Sequence, residues 1–264
     1  MEELLDIGTD GAFGILTRAQ SPRRGLGVVL FNAGLIHRSG PLRFHVDLAR
    51  RLAASGFDVL RFDLPGIGDA AMEDAGTPQA VAARAFDCLQ AATGAQGFIC
   101  GGICSAADLG WHMATMDTRV RGLILIDPMA VRGIWYRVGR IRMLARGPVS
   151  GLFGKVLRRL RRSASRGAVE PASEDYRQWP LPAEFRGRLA EALDRGVHVF
   201  GLYTGGVGDY LLHPRQIDAT FGRLRGHAGV RLEFQPALDH ILFAARDRRR
   251  VVDAIAGWAA ATHQ

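Results

Sequence analysis

Cys100-Gly101-Gly102-Ile103-Cys104-Ser105-Ala106-Ala107 decides how this chain is read. The apolar run Gly97-Phe98-Ile99-Cys100 leads into it, and a helical pattern starts at about Ser105. A reactive side chain at such a strand-to-helix junction sits on a sharp, strained turn, so the residues two before and two after it must be small. With Cys104 at the apex those positions hold Gly102 and Ala106. With Ser105 at the apex they hold Ile103 and Ala107, and the isoleucine would clash with the turn. Cys104 is therefore the candidate nucleophile. The junction also puts its thiol at a helix N-terminus, where the dipole and unpaired amides favour the thiolate. Free cysteines are equally common as small buried residues, so the weight of the motif comes from what surrounds it.

Working outward, short apolar runs alternate with helical periods. Gly27 to Phe31 is continuously apolar, as a strand buried on both faces should be. Leu42, Val46, Ala49 and Ala53 follow at helical spacing after Pro41, and Gly56 ends that helix. Phe57–Phe62 reads as the next strand, Thr77-Pro78 as the cap and first turn of a second helix, and Gly94 as its end. Val120–Ile126, Val197–Tyr203 and the alternating Val230, Leu232 and Phe234 give three further strands, and Val251, Ile255 and Trp258 mark a last helix. Strands and helices in this alternation predict an α/β fold with a mostly parallel twisted sheet and right-handed crossovers. Residues 131–195 interrupt the pattern. They are rich in arginine and proline, and they read as a basic helical lid inserted into a core of residues 1–130 and 196–264.

Past that insert, Tyr203-Thr204-Gly205-Gly206-Val207-Gly208-Asp209 is a glycine-rich turn that ends in an acid after a strand. Of the eight histidines only His240 lies just beyond the last strand. Nucleophile, acid and histidine in that order, over nearly the whole chain, resemble the α/β-hydrolase superfamily. Arg61-Phe62-Asp63-Leu64-Pro65-Gly66-Ile67-Gly68-Asp69 looks like that family's D-x-x-G-x-G turn, and Phe31-Asn32-Ala33-Gly34 stands where its H-G oxyanion turn would. More narrowly, Asn32-Ala33-Gly34, His37-Arg38-Ser39-Gly40-Pro41 and Gly102-Ile103-Cys104-Ser105 are similar to bacterial hydrolases found near exosortase systems and biosynthetic clusters. The resemblance implies Cys104 as nucleophile, His240 as base and Asp209 as the orienting acid. Asp127, which ends the fourth of the strands read here, is the rival acid, and its bland reading is a strand-terminating Asp-Pro turn. The family also implies an oxyanion hole of backbone N–H groups from Gly34 or Leu35 and from Ser105. Arg38, just past that turn, and Trp135 in the insert are candidate substrate contacts.

Composition bounds the rest. The 264 residues are 48% apolar, enough for a substantial core, and no apolar run is long enough to span a bilayer. The start, MEELLDIGTDG, is acidic where a secretory signal would be basic. A cytoplasmic location is the expectation. Three cysteines are too few for a disulfide framework and poorly spaced for zinc, and no nucleotide fingerprint or phosphate loop occurs, so neither metal nor cofactor is expected. Pro128 to Val169 holds ten arginines, the chain's single lysine and no acid. That segment carries +11 of a formal net +8, which leaves the rest of the chain at −3. Nucleic-acid binding by the whole protein is thus disfavoured, and a local anionic partner such as an acyl carrier protein or coenzyme A is favoured. Leu152, Phe153, Val156, Leu157 and Leu160, opposite Lys155 and Arg158, Arg159 and Arg162, also fit a helix resting on an anionic membrane, or a lid helix with its apolar face turned inward.

The implied chemistry is acyl transfer through an acyl-cysteine, by a thioesterase, esterase or acyltransferase. The competing class is a non-catalytic binding protein on the same fold.

Overall fold

The apolar runs become the middle of one sheet. A computed structural model of the chain describes residues 1–8, 13–20, 22–71, 76–146, 180–208 and 210–263. Its strands are β1 (Glu2–Asp6), β2 (Phe13–Thr17), β3 (Leu26–Leu30), β4 (Asp58–Phe62), β5 (Gly97–Ile103), β6 (Val120–Ile126), β7 (His198–Thr204) and β8 (Val230–Gln235). They lie in the order β1-β2-β4-β3-β5-β6-β7-β8. The pairs from β4 through β3 to β8 are parallel, whereas β1–β2 and β2–β4 are antiparallel. This N-terminal antiparallel pair escaped the sequence reading because β1 is short and only half buried on alternate residues.

The helices are α1 (Phe44–Ala54), α2 (Pro78–Thr93), α3 (Ser105–Met116), α4 (Ile134–Arg146), α5 (Pro182–Asp194), α6 (Arg215–Phe221) and α7 (Ala245–Thr262). Strand pleating sorts the core into two layers. Val28, Leu30, Ile99, Ile124 and Phe200 face Phe44, Leu48 and Leu52 of α1 and Val251, Ile255 and Trp258 of α7. Val29, Phe98, Leu123, Leu125 and Val199 face Phe86 and Leu89 of α2, Trp111 of α3, Phe185 and Leu189 of α5 and Phe221 of α6. Each such side chain contributes roughly 1.5–3 kcal/mol by leaving water.

Local signals act as expected around α2. Thr77 Oγ1 accepts from Ala80 N at 3.2 Å, Pro78 opens the helix, and Gly94 closes it in the left-handed region.

The stretch read as a lid is described at its two ends only. α5, at its C-terminal end, buries Phe185, Leu189 and Leu193 in the core. That helix is the crossover into β7, so its apolar face belongs to the sheet layers. The basic helix expected around Leu152–Leu160 lies outside the described residues. Among those described, no helix is long and apolar enough to cross a membrane.

Candidate active site

The C-terminal ends of β3, β5, β6 and β7 lie side by side, and the loops leaving them build the site. β5 runs on to Ile103, and Cys104 then turns with φ 61° and ψ −123° into α3. Such a backbone costs about 1–3 kcal/mol and persists only where the surroundings enforce it. They do so here. Cys104 N donates to Ile126 O at 2.8 Å, fixing the apex to β6. Gly102 stands at φ 150°, and a Cβ there would lie 2.8 Å from the Ala106 Cβ. The two small flanking residues are thus a steric requirement of the turn.

His240 follows β8 on a loop that returns over β7. The Gly205-Gly206 pair makes that return possible, because a side chain on Gly206 would collide with the backbone N of His240. Gly205 N also donates to Leu238 O at 3.0 Å. The glycines read as an acid-bearing turn therefore serve the histidine loop.

Asp209 lies outside the described residues. The carboxylate that His240 meets is that of Asp127, the rival acid, with Nδ1 2.7 Å from Oδ2. Asp127 is fully buried at the end of β6 with φ 47°, a conformation that Asp tolerates better than most residues. Its Oδ1 accepts from Thr204 N at 2.6 Å, and its Oδ2 accepts from Thr204 Oγ1 at 2.7 Å. Tyr210 Oη donates to its main-chain O at 3.0 Å. The sequence reading did not single out Thr204 or Tyr210.

A carboxylate can only accept, so the ring donates through Nδ1, which leaves Nε2 for the bond that His240 makes with Cys104. Burial by itself would lower the imidazole pKa. The hydrogen bonds to Asp127 and Cys104, with the negative charge on both, more than offset it and raise the pKa to about 9. His240 is thus an imidazolium at neutral pH and loses its proton only above about pH 9. The other thiols are different, since burial pushes those of Cys100 and Cys88 up. His45, fully buried behind the elbow, is held down to about 4 by burial and by the charge of Arg61. It stays neutral and is no second base.

The pH consequence is direct. Iodoacetamide should alkylate Cys104 at a rate nearly independent of pH from about 6.5 to 8.5, where an ordinary thiol of pKa about 8.5 would speed up with each added pH unit. His240→Ala should restore the ordinary rising profile. Identical profiles for the two proteins would contradict the ion pair.

The turn expected to hold the oxyanion follows β3. Asn32 Nδ2 donates to Ile36 O and to Asp63 Oδ1, both at 2.9 Å, and Asn32 Oδ1 accepts from Leu64 N at 2.7 Å. Asn32 therefore ties this turn to the one after β4. Gly34 N points at the elbow and donates to Ser105 Oγ at 2.7 Å. Ser105 N is the first amide of α3 and has no partner within the helix. The Leu35 side chain is exposed.

Two expected substrate contacts are occupied within the chain. Arg38 is buried and ion-paired with Asp63, and its Nη2 lies 2.7 Å from Asp69 Oδ2. Its guanidinium also stacks over Phe13 at 4.6 Å. Arg38 locks the turn after β3 to the turn after β4, with one carboxylate oxygen against each terminal nitrogen. His37, Asp63 and Asp69 come close enough together to suggest a cation site, but the guanidinium already supplies the positive charge between the two acids. Arg38→Met should cost about 3 kcal/mol or more in urea unfolding, because it leaves Asp63 buried without its counter-ion. Trp135 on α4 stacks on His213 at 4.9 Å, with the Arg215 guanidinium 4.5 Å from its ring centre, so it braces the segment entering α6.

A family profile described as "alpha/beta hydrolase fold" matches residues 27–142. No curated protein matches the sequence. Among solved structures, an esterase from Pyrococcus furiosus is similar with a TM-score of 0.65 at 10% identity, covering 100% of this chain and 91% of that one. The esterase domain of a Rhodothermus marinus protein aligns with a TM-score of 0.58 at 12% identity over 99% and 98%. Proline iminopeptidase from Mycobacterium smegmatis aligns with 0.57 at 15% identity over 100% and 99%. The fold is the α/β-hydrolase fold.

Proposed function

We propose that this protein is an acyl-transfer enzyme in which Cys104 is the nucleophile, His240 the acid–base and Asp127 the group that orients the histidine. The observation that carries the reading is the single imidazole bonded to Asp127 on one side and to Cys104 on the other. In the reaction the thiolate adds to a carbonyl carbon, and the carbonyl oxygen takes up the negative charge. His240 then gives its proton to the leaving group as the tetrahedral species collapses to an acyl-cysteine. In the second half it takes a proton from water or another acceptor, which attacks the acyl group and frees the thiol.

Cysteine biases the donor. Moving an acyl group from an ordinary oxygen ester to a thiol runs uphill, whereas exchange between thioesters is nearly balanced. The favoured substrate is therefore a thioester or similarly activated acyl compound, and an acyl carrier protein or coenzyme A would suit the basic insert. The loop after Asp127 also lines a cavity of about 390 Å³, in which Met129, Ala130, Val131 and Phe185 supply apolar walls and Arg132 a cation. None of the three catalytic side chains lines it. It lies at the same edge of the sheet and suits the hydrocarbon part of an acyl group.

The test is intact mass after incubation with acetyl and octanoyl thioesters. An acyl adduct on Cys104 that requires His240 supports the reading, and its decay with and without added amines or alcohols separates hydrolysis from transfer. The absence of any adduct and any turnover would turn the reading toward a binding protein.

A further inference from the structure

We infer that the side-chain hydroxyl of Ser105 is one of the donors to the developing oxyanion, held in that role by the Gly34 amide. The inference rests on the acyl-transfer reading and deepens it. A main-chain hole built from this turn would aim Gly34 N–H at the substrate oxygen. Here that N–H is already spent on Ser105 Oγ at 2.7 Å. The hydroxyl accepts from Gly34, so its own proton must point elsewhere. Among the described residues the acceptor it meets is Asn32 O at 3.5 Å, well beyond the usual 2.7–2.8 Å of an O–H···O bond. A hydroxyl that accepts one strong bond and donates only a long one is polarised toward donation.

It also sits in the right place. Ser105 directly follows Cys104, is only partly buried, and carries on its own backbone the first amide of α3. A carbonyl oxygen attacked by Cys104 would thus meet Ser105 N–H and Ser105 Oγ–H together, with Gly34 behind the latter. The proton stays on Ser105 throughout, and the hydroxyl stabilises charge without transferring anything. This also explains how the turn works with Asn32-Ala33 in place of His-Gly. It need only present one amide to a hydroxyl, while Asn32 is spent on holding the turn.

The experiment compares wild type, Ser105→Ala and Ser105→Thr in two assays. One is the rate of Cys104 acylation by acetyl and octanoyl thioesters, read by mass and by thiol release. The other is alkylation of Cys104 by iodoacetamide, a displacement that forms no oxyanion. Ser105→Ala should slow acylation about 10²–10³-fold, mostly in kcat. Ser105→Thr, which keeps the hydroxyl, should recover most of that rate, and alkylation should stay close to wild type in both. Acylation by Ser105→Ala that equals or exceeds wild type would overturn the inference, since the hydroxyl would then be a plug in the hole. An equal loss of alkylation would overturn it too, because the damage would lie in the thiol. Wild type that forms no acyl adduct at all would bring down the underlying reading together with it.

Discussion

Cys104→Ala is expected to form no acyl adduct with any thioester and to lose about 10⁶-fold in kcat, roughly 8 kcal/mol of barrier. The loss is this large because nothing nearby can replace the thiol. Ser105 has a nucleophilic oxygen one residue away, but its hydroxyl is bonded to Gly34 N and faces Asn32 O. Cys100 is four residues away, yet it is fully buried and its sulfur faces Gly110 O at 3.8 Å. Cys104→Ser should keep the geometry and lose most of the rate, because a hydroxyl holds its proton far more tightly than a thiol and offers no resting anion. Thiol release under steady state and intact mass check both variants. Equal turnover by Cys104→Ala on every donor would end the covalent mechanism.

Asp127→Asn is expected to lower kcat about 10⁴-fold, near 5 kcal/mol. The asparagine oxygen can still accept from Thr204, so the fold is kept. Its amide, however, would donate to Nδ1 and hold His240 in the wrong tautomer. The raised pKa of His240 should fall at the same time, because the bond and charge that hold it up are gone. The flat alkylation profile of the wild type should then regain a slope with pH. Asp209→Asn is expected to stay within about threefold of wild type. A large loss at Asp209 with none at Asp127 would reverse the assignment.

The choice between these two acids marks the edge of what the sequence reveals. The elbow was legible because its sterics are local. Only one register of Gly102-Ile103-Cys104-Ser105-Ala106 keeps small residues on both sides of the apex. The central strands were legible because they are buried on both faces and read as unbroken apolar runs. His240 was legible by its place after the last strand. The carboxylate that His240 meets was not, because its direction depends on a left-handed backbone at Asp127 and on Thr204, a residue 77 positions away, reaching back to it. The misleading clue was physical as well. The glycines before Asp209 look like a loop built to present an acid, but their smallness accommodates the chain arriving at His240. Arg38 misled for a related reason. Its partner Asp63 lies in the next parallel turn, and only the sheet order shows the two to be neighbours.

The three cysteines, so differently placed, give the chain its own gauge of intactness. In most proteins a thiol reagent reports unfolding, since buried sulfurs become available as structure is lost. Cys100 obeys that rule, being fully buried with its thiol disfavoured as an anion, and the half-buried Cys88 follows it in part. Under the proposed mechanism Cys104 inverts it, because its activation would depend on a strained turn, a helix end and a protonated imidazole that exist only together. As the fold opens, that sulfur should go quiet while the other two gain reactivity. The ratio of label among the three sites should therefore report, in one sample and with a single thiol reagent, how much of the population still has this centre assembled.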